Sequence, residues 1–368
     1  MSEISAHFDV HHRRCLGSNG KIVGPLPEFA RNVNELIGLY RALVRARTFD
    51  AKAVALQRTG RLGTYASSLG QEAVSVGVAS AMHTDDVLVP SFREQGAQLV
   101  RGVTPLELLL YWGGDERGSA FSGPKQDFPV SVPVGSHAPH AAGVALALKL
   151  RREPRAAVCI FGDGATSKGD VAEAINIAGV WQLPLLFVVV NNQWAISTPR
   201  ERQTAAVTLA QKAVAGGIPG EQVDGNDVIA VRAVASAALK RARQGDGPSL
   251  IEALTYRLAD HTTADDASRY RDDRVVAERW QEEPLVRLRR YLTDGGHWTK
   301  QDEEQLLRQS AGEFDGAIGE YLAMVPQKLE SIFEYTFAKM PAELRAQLIA
   351  MLDLEPPLAK KTIKENQS

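Results

Sequence analysis

The fold is decided by residues 156–192, which read AAVCIFGDGATSKGDVAEAINIAGVWQLPLLFVVVNN. A short apolar run over 156–161 ends at a Gly-Asp-Gly triplet, and a second run over 185–190 ends at an Asn-Asn pair. Between them, residues 169–181 have the spacing of apolar side chains that is typical of a helix. Runs that are apolar throughout are typical of strands in a parallel sheet buried on both faces. The stretch therefore predicts a β-loop-helix-β unit in an α/β protein.

A carboxylate and an amide follow these two runs. Asp163 comes directly after the first run, and Asn192 closes the second. In a right-handed crossover the carboxyl ends of the two strands can lie side by side, at the edge of an α/β sheet where ligands bind. A carboxylate, an amide oxygen and a backbone carbonyl from the next turn suit Mg²⁺ and leave positions for water and phosphate oxygens. Gly162 and Gly164 let the backbone approach a diphosphate, and the amides that open the next helix add anion affinity.

The Gly-Asp-Gly triplet alone has a simpler explanation, a strand-end turn in which Asp163 caps the next helix. Triplet, crossover and Asn-Asn pair together form the signature that thiamine-diphosphate enzymes share. Over roughly residues 30–350 the chain further resembles the alpha subunit of bacterial pyruvate dehydrogenase, a component of a 2-oxoacid dehydrogenase complex. The resemblance is carried by FGDGATSKGD (161–170), NNQWAISTP (191–199), LAQKAV (209–214), EQVDGND (221–227), TYRLADHTTADD (255–266) and RYR (269–271). It implies a thiamine-diphosphate-binding α/β fold, a parallel sheet flanked by helices, with an N-terminal arm and a helical C-terminal extension.

The resemblance also implies thiamine diphosphate and Mg²⁺ as cofactors. The family's metal ligands correspond to Asp163, Asn192 and the main-chain oxygen of Trp194. The implied cofactor-binding residues are Phe92, Arg93, Val134, Gly162, Asp163, Gly164, Ala165, Asn192, Trp194 and His261. Phe92 would flank the cofactor, and Arg93 would hold the diphosphate, because a guanidinium can make two charge-assisted hydrogen bonds to phosphate oxygens. Without the resemblance, Arg93 has the pattern of a surface salt-bridge residue and His261 that of a solvated loop histidine.

Two histidines are candidates for proton transfer. His261 matches the family histidine beside the diphosphate and the reacting centre, and an imidazole can hydrogen-bond an anionic intermediate or move a proton. Close relatives often carry another histidine in the loop that corresponds to residues 113–123, which contains none in this chain. That departure makes His137 the second catalytic candidate.

The carboxylate that activates the pyrimidine ring is expected on a separate beta subunit, with the cofactor at the interface of an α2β2 heterotetramer. Glu72 is not assigned that role. The implied activity is oxidative decarboxylation of pyruvate, with acetyl transfer to the lipoyl group of an acyltransferase core. A branched-chain 2-oxoacid or acetoin is the alternative substrate, because the beta subunit forms part of the pocket. Thr262 stands where mammalian relatives carry a regulated serine.

Other classes of protein are disfavoured. No Gly-x-Gly-x-x-Gly opens a βαβ unit, which argues against a dinucleotide-binding oxidoreductase, and residues 164–169 lack the Gly-Lys-Ser/Thr of a P-loop. Residues 224–227 resemble a haloacid-dehalogenase metal motif, but an Asp-x-Asp nucleophile is missing upstream, so a strand-end turn is the better interpretation. A non-catalytic scaffold subunit would not need Asp163, Asn192, Arg93 and His261 together.

Composition sets the broad class. The chain has 368 residues, 44% of them hydrophobic, and a formal net charge of −2, which gives no reason to expect a nucleic-acid or membrane partner. Only two cysteines are present, far apart, so a disulfide framework is not expected. No apolar stretch reaches the about 20 residues of a membrane span, and the N-terminus lacks a signal-peptide core. These features predict a soluble cytoplasmic protein.

The chain is expected to divide into an arm (1–30), the α/β domain (31–300) and a helical extension (301–368). The arm contains His7, His11 and His12, for which disorder is favoured over a metal site. Long irregular loops are predicted over 113–135 and 258–275. Further helices are predicted over 33–44, from 71, and over 140–150, 209–215 and 228–242, and further strands over 87–89, up to 225, and over 249–256.

Overall fold

The computed structural model describes residues 5–354 of the chain. Its centre is a parallel sheet of six strands in the order β1-β7-β8-β4-β3-β2. The strands are β1 (His12–Arg13), β2 (Val87–Val89), β3 (Ala157–Gly162), β4 (Leu185–Asn191), β7 (Gly220–Asp224) and β8 (Ser249–Leu254), and a separate antiparallel pair consists of β5 (Trp194–Ala195) and β6 (Thr198–Pro199). The predicted α/β fold with a parallel sheet is confirmed.

Helices cover both faces of this sheet. The helices in the described part of the chain are α1 (Val33–Arg58), α2 (Glu72–Ala79), α3 (Gln95–Arg101), α4 (Pro105–Trp112), α5 (His137–Leu150), α6 (Gly169–Val180), α7 (Lys212–Ala215), α8 (Val228–Arg243), α9 (Asp273–Arg279), α10 (Pro284–Asp294), α11 (Lys300–Ala323), α12 (Ser331–Glu334) and α13 (Ala342–Leu354), and those that contribute to the two cores on the faces of the sheet include α1, α2, α5, α6 and α8. The stretch predicted as a helix over 209–215 is a 3-10 turn followed by the short α7.

The alternation of side chains along the strands builds two cores. In β3, Val158 and Ile160 belong to the core that contains α1, α2 and α8, whereas Cys159 and Phe161 belong to the core that contains α5 and α6. Successive side chains of a strand point to opposite faces, so a strand covered by helices on both sides must be apolar at every position. This is why the two runs quoted above, which form the inner strands β3 and β4, are apolar throughout.

β3 and β4 are neighbours in the sheet, as the crossover predicts. β3 and β4 pair in parallel with Ala157 opposite Leu185 and Gly162 opposite Val190. Their carboxyl ends are therefore level, and the residues that follow them emerge at one edge of the sheet. That edge carries the site described below.

The N-terminal arm differs from the prediction. It was expected to be irregular and disordered, but His12 and Arg13 form β1, which pairs in parallel with β7. His12 Nδ1 lies 2.9 Å from Gln222 Oε1, and the amides of Cys15 and Leu16 donate to Asp227 at 2.7 and 2.6 Å. An edge strand needs only backbone pairing and tolerates polar side chains, so periodicity does not reveal it.

The chain divides into two compact units, with the boundary between Leu322 and Ala323. The second unit contains α12 and α13, and its exposed apolar side chains are Val325, Ile332, Tyr335, Phe337, Ile349 and Leu352. The predicted domain limits near residues 30 and 300 stay predictions. None of the helices in the described residues is both long enough and apolar enough to cross a membrane.

Candidate active site

A cavity of about 240 Å³ opens at the carboxyl ends of β3 and β4. The sequence-predicted site residues that line it are Phe92, Arg93, Val134, His137, Gly162, Asp163, Gly164, Ala165, Asn192, Trp194 and His261. These residues come from segments spread over most of the first unit, yet all of them lie around this one cavity. Gln71, Glu94, Ile196 and other residues that were not singled out from the sequence also line it.

Asp163 lies where β3 ends and a single 3-10 turn, Asp163–Ser167, begins. Its side chain is buried, accepts a hydrogen bond of 3.2 Å from Gln203 Nε2, and caps no helix, which excludes the simpler explanation of the triplet. Burial raises the pKa of the Asp163 carboxyl to about 6, against the lowering effect of the hydrogen bond from Gln203. A cation at this position would favour the charged form. The helix α6 begins only at Gly169, so the turn, rather than the first turn of α6, follows Asp163 directly.

Asn192 follows β4, and its side-chain amide is fixed at both ends. Nδ2 donates to Gln71 Oε1 at 2.8 Å, and Oδ1 accepts from the Trp194 amide at 3.2 Å. Gln193, between Asn192 and β5, has φ 72°, and Ile196, between β5 and β6, has φ 56°, a left-handed conformation that few side chains adopt. This unusual turn brings Trp194 to the cavity wall.

The donor set at this edge fits Mg²⁺. Of the carboxylates in the described chain, Asp163 and Glu94 line the cavity, and Glu94 accepts hydrogen bonds from Ser91 and the Arg93 amide, so Asp163 is the carboxylate available to an ion here. Mg²⁺ is commonly held by one or two carboxylates together with phosphate oxygens and water. In the arm, His7 Nε2 lies 3.1 Å from Asp9 Oδ1, and His12 Nδ1 lies 2.9 Å from Gln222 Oε1.

Arg93 lies in the segment between β2 and α3, and its guanidinium is buried. Nη1 donates to the Ser67 carbonyl at 2.6 Å, and Nη2 donates to the His261 carbonyl at 2.6 Å and to His261 Nδ1 at 2.9 Å. Burial and the neighbouring Arg257 lower the pKa of Arg93 to about 10, so it remains charged at neutral pH. The cavity therefore has a positive charge in its wall, which favours an anion.

His261 meets a second guanidinium, that of Arg257, whose Nη1 lies 3.3 Å from His261 Nδ1. A guanidinium can only donate, so Nδ1 is an acceptor and the ring proton is on Nε2. Burial, and then the charges of Arg93 and Arg257, lower the pKa of His261 to about 4. At neutral pH His261 is thus an uncharged hydrogen-bond donor. The ring of Phe92 packs edge-on against it, with the centroids 6.1 Å apart.

Arg257 is a residue that the sequence reasoning missed. It is fully buried beyond the end of β8, and its Nη2 donates to the Ile196 carbonyl at 2.8 Å and to Tyr270 Oη at 2.7 Å. It lies in the TYR triplet at 255–257 of a stretch that carries the family resemblance, and this was the available signal. Arg257 joins the turn after Asn192 to the loop that carries His261.

His137, the second catalytic candidate, begins α5 and is almost fully buried. Its Nε2 lies 2.9 Å from the Ile160 carbonyl, so Nε2 carries the proton and Nδ1 is an acceptor, for which no partner is present among the described residues. Burial lowers the pKa of His137. In this arrangement His137 can accept a hydrogen bond from a ligand, but it has no second proton to donate.

Two acidic residues near the cavity have different surroundings. Glu94 lines the cavity, its Oε2 accepts from Ser91 Oγ at 2.9 Å and the Arg93 amide at 3.1 Å, and burial raises its pKa to about 7. Glu72 is fully buried, pairs with Arg47 and accepts from the Gly70 amide at 3.0 Å. Glu72 itself does not line the cavity.

Comparison with known proteins places the chain among enzymes of one kind. Residues 40–327 match the family model described as Dehydrogenase E1 component. The chain is 44% identical over 311 residues to the 3-methyl-2-oxobutanoate dehydrogenase subunit alpha of Mycobacterium tuberculosis, with 84% of each chain covered. It is 39% identical to the pyruvate dehydrogenase E1 component subunit alpha of Acholeplasma laidlawii, over 89% of this chain and 96% of that one, and 38% identical to that of Bacillus subtilis, over 91% and 90%.

Proposed function

Since this chain belongs to the dehydrogenase E1 component family, we propose that it is the alpha subunit of a 2-oxoacid dehydrogenase that uses thiamine diphosphate and Mg²⁺. The observation that carries the proposal is the single cavity into which the fold gathers Asp163, Asn192, Trp194, Arg93 and His261. Thiamine diphosphate, when bound, supplies an electron sink for the decarboxylation of a 2-oxoacid.

The residues of this chain hold and orient the diphosphate end of the cofactor. Asp163, Asn192 and the main-chain oxygen of Trp194 provide hard oxygen ligands for Mg²⁺. Arg93 provides positive charge for the diphosphate, in a buried setting where charge-assisted hydrogen bonds are strong. Gly162, Gly164 and Ala165 form the turn beside Asp163, where the backbone can approach phosphate oxygens, and Val134 and Phe92 add apolar contact on the cavity wall.

His261 acts as a fixed hydrogen-bond donor in this proposal. Its Nδ1 is held by Arg93 and Arg257, which leaves Nε2–H for an oxygen atom of the substrate. Donors that are preorganised towards developing negative charge are a large source of catalysis in water-excluded sites. His137 Nδ1 is available to accept a hydrogen bond in the same cavity.

The carboxylate that activates the pyrimidine is proposed to come from a beta subunit. Of the acidic residues in the described chain, Asp163 and Glu94 line the cavity. Asp163 is assigned to the metal, and Glu94 is engaged by Ser91 and Arg93. We therefore infer an α2β2 enzyme that transfers the acyl group of its substrate to a lipoyl-bearing acyltransferase.

The substrate is proposed to be a short 2-oxoacid, for which two candidates have specific support. The Mycobacterium tuberculosis relative, named for 3-methyl-2-oxobutanoate, is 44% identical, which favours a branched-chain 2-oxoacid. Pyruvate, the substrate expected from the sequence motifs, is supported by relatives of 38 to 39% identity.

Steady-state turnover by the chain assembled with its beta subunit tests the proposal. Pyruvate and 3-methyl-2-oxobutanoate are compared by kcat/KM, with thiamine diphosphate, Mg²⁺ and an artificial electron acceptor. Substrates that differ by one methylene group commonly differ about 10- to 200-fold in kcat/KM, so a clear preference for one of the two acids is expected. If neither acid is decarboxylated, or if turnover does not depend on thiamine diphosphate, the proposed function is wrong.

A further inference from the structure

Gln71 is buried at the cavity wall and has no role in the account above. It precedes α2, its side chain is 2% exposed, and it lines the cavity beside Asn192. Its Oε1 accepts from Asn192 Nδ2 at 2.8 Å, whereas its Nε2 is buried and has no hydrogen-bond partner among the described residues. A buried donor without an acceptor is unusual in a native protein and indicates a missing partner.

The backbone amide of Trp194 determines how the side-chain amides of Asn192 and Gln71 are oriented. The Trp194 amide N–H can only donate, and it lies 3.2 Å from one terminal atom of the Asn192 side chain. That atom must be Oδ1, because two donors would otherwise face each other. The other atom, Nδ2, then faces Gln71 and requires an acceptor there, which must be Oε1. The Trp194 backbone amide therefore fixes Gln71 Nε2 as the donor that lacks a partner among the described residues.

The backbone around Gln71 is held rigidly. The Gln71 amide donates to the Ser68 carbonyl at 2.9 Å, and the Gly70 amide donates to Glu72 at 3.0 Å. Thr255 Oγ1 donates to the Gly70 carbonyl at 2.8 Å. Gly70 has φ +88°, and a Cβ there would come within 2.7 Å of the Tyr256 carbonyl, so Gly70 packs closely against the segment that follows β8 and a side chain there would be strained. Gln71 is preorganised before any ligand binds.

We propose that Gln71 is a positioning residue of the metal and diphosphate site. Its Oε1 holds the Asn192 amide so that Oδ1 is presented to Mg²⁺, and its Nε2 donates to an oxygen of the bound diphosphate. The proposal rests on the proposed function, since it assumes that Mg²⁺ and thiamine diphosphate bind here. Residues that orient metal ligands commonly change metal affinity about 10- to 100-fold when they are replaced.

Three variants separate these roles. Gln71→Met has a similar shape but neither accepts nor donates. Gln71→Glu keeps an acceptor for Asn192 Nδ2 but loses the donor and adds negative charge. Gln98→Met is the matched control, because Gln98 on α3 is equally buried and its Nε2 also has no partner among the described residues, yet it does not line the cavity.

The measurement is calorimetric titration of the assembled enzyme with thiamine diphosphate over a series of Mg²⁺ concentrations, together with thermal unfolding of the ligand-free protein. Gln71→Met is expected to need about 10-fold or more Mg²⁺ for half-saturation. Gln71→Glu is expected to keep the Mg²⁺ requirement of the wild type but to bind thiamine diphosphate more weakly at saturating Mg²⁺. Gln98→Met is expected to bind as the wild type does, and all three variants are expected to unfold cooperatively.

Two outcomes overturn the inference. In the first, Gln71→Met binds both ligands within twofold of the wild type. In the second, Gln98→Met is weakened as much as Gln71→Met, which would make the effect one of general packing. A wild-type enzyme that binds no thiamine diphosphate would instead contradict the proposed function, so the two failures are distinguishable.

Discussion

His261 is held between two guanidinium groups that donate to the same ring nitrogen, Nδ1. Burial, then Arg93 and Arg257, lower the pKa of His261 from its ordinary value to about 4. We predict that His261 stays uncharged, with its proton on Nε2, from pH 8 down to about pH 5. Nitrogen-15 NMR of the histidine rings measures the protonation of each nitrogen directly.

The variant Arg257→Met tests the cause of this shift. It removes one of the two charges, so the pKa of His261 is expected to rise and the ring to gain its second proton at a higher pH. A doubly protonated His261 ring at pH 6 in the wild type would refute the prediction, and proton donation by a charged histidine would then become the better mechanism.

Asp163 combines a functional demand with a cost to stability. Burial raises its pKa to about 6 in the ligand-free protein. The contribution of protonated Asp163 to the free energy of unfolding is therefore fully present below its ordinary pKa of 3.8. This contribution is lost as the pH rises through about 6, where the buried carboxyl loses its proton. We predict that Asp163→Asn stabilises the ligand-free protein by about 1 to 3 kcal/mol at pH 7. Chemical denaturation at pH 7 and at pH 4 measures this, and the gain should vanish at the lower pH.

The same variant is expected to lose Mg²⁺-dependent binding of thiamine diphosphate, because it removes the carboxylate assigned to the ion. Calorimetry on the assembled enzyme checks this. Unchanged affinity would contradict the metal-site assignment, and a loss of stability at pH 7 would contradict the account of the buried charge.

At the scale of elements, the loop from 257 to 272, between β8 and α9, is held mainly by polar contacts. Arg257 and Asp265 both bond Tyr270, and Arg271 donates to the Arg257 and Ala259 carbonyls. Its buried apolar anchors are few, with Leu258 and Ala267 among them. Segments with few buried apolar contacts open at low free energy.

We predict that residues 260–274 exchange amide hydrogens faster in the ligand-free protein than with thiamine diphosphate and Mg²⁺ bound. The diphosphate would neutralise the positive charge of Arg93, which contacts this loop through His261. Hydrogen exchange followed by mass spectrometry measures the difference, and β4 serves as the internal control, because a central strand is expected to be protected in both states. Equal protection of the loop in both states would contradict the prediction, because it would show that the polar contacts alone keep the loop ordered without ligand.

At the scale of the whole molecule, the cavity is an incomplete site in the proposed enzyme. The side chains of Val132 and Ile196 are both 55% exposed, and Ile196 lines the cavity. Exposed apolar side chains beside a site are typical of a surface that a partner covers. The described chain also supplies no carboxylate that we assign to the pyrimidine.

We predict that the isolated chain has no decarboxylase activity and that activity appears on mixing with a beta subunit. Loss of a proton-transfer contact costs about 10²- to 10⁴-fold in rate, so the lone subunit should be inactive in practice. The assay uses purified chain, 2-oxoacid, thiamine diphosphate, Mg²⁺ and an artificial electron acceptor. Robust turnover by the lone chain would mean that its own residues complete the site, and Glu94 would be the first carboxylate to replace.

The sequence by itself was sufficient to predict the unit formed by β3, α6 and β4. Apolar periodicity is a local property, so the strands that end at Gly162 and Asn191 and the helix between them could be predicted to within a residue or two. The positions of Asp163 and Asn192 at one edge followed from the handedness of the crossover. The remaining site residues came from resemblance to a family, and the structure places every one of them around the cavity.

Only the tertiary structure shows which groups determine the protonation and orientation of the residues around the cavity. Arg93 reaches His261 across 168 positions, Gln71 reaches Asn192 across 121 positions, and β1 pairs with β7, more than 200 positions away. These partners are polar residues without a periodic pattern, and each contact exists only because the sheet brings distant segments together. A hydrogen bond also depends on direction at the scale of an ångström, which no local pattern encodes. The chemistry of single residues could thus be predicted, whereas their protonation and orientation could not.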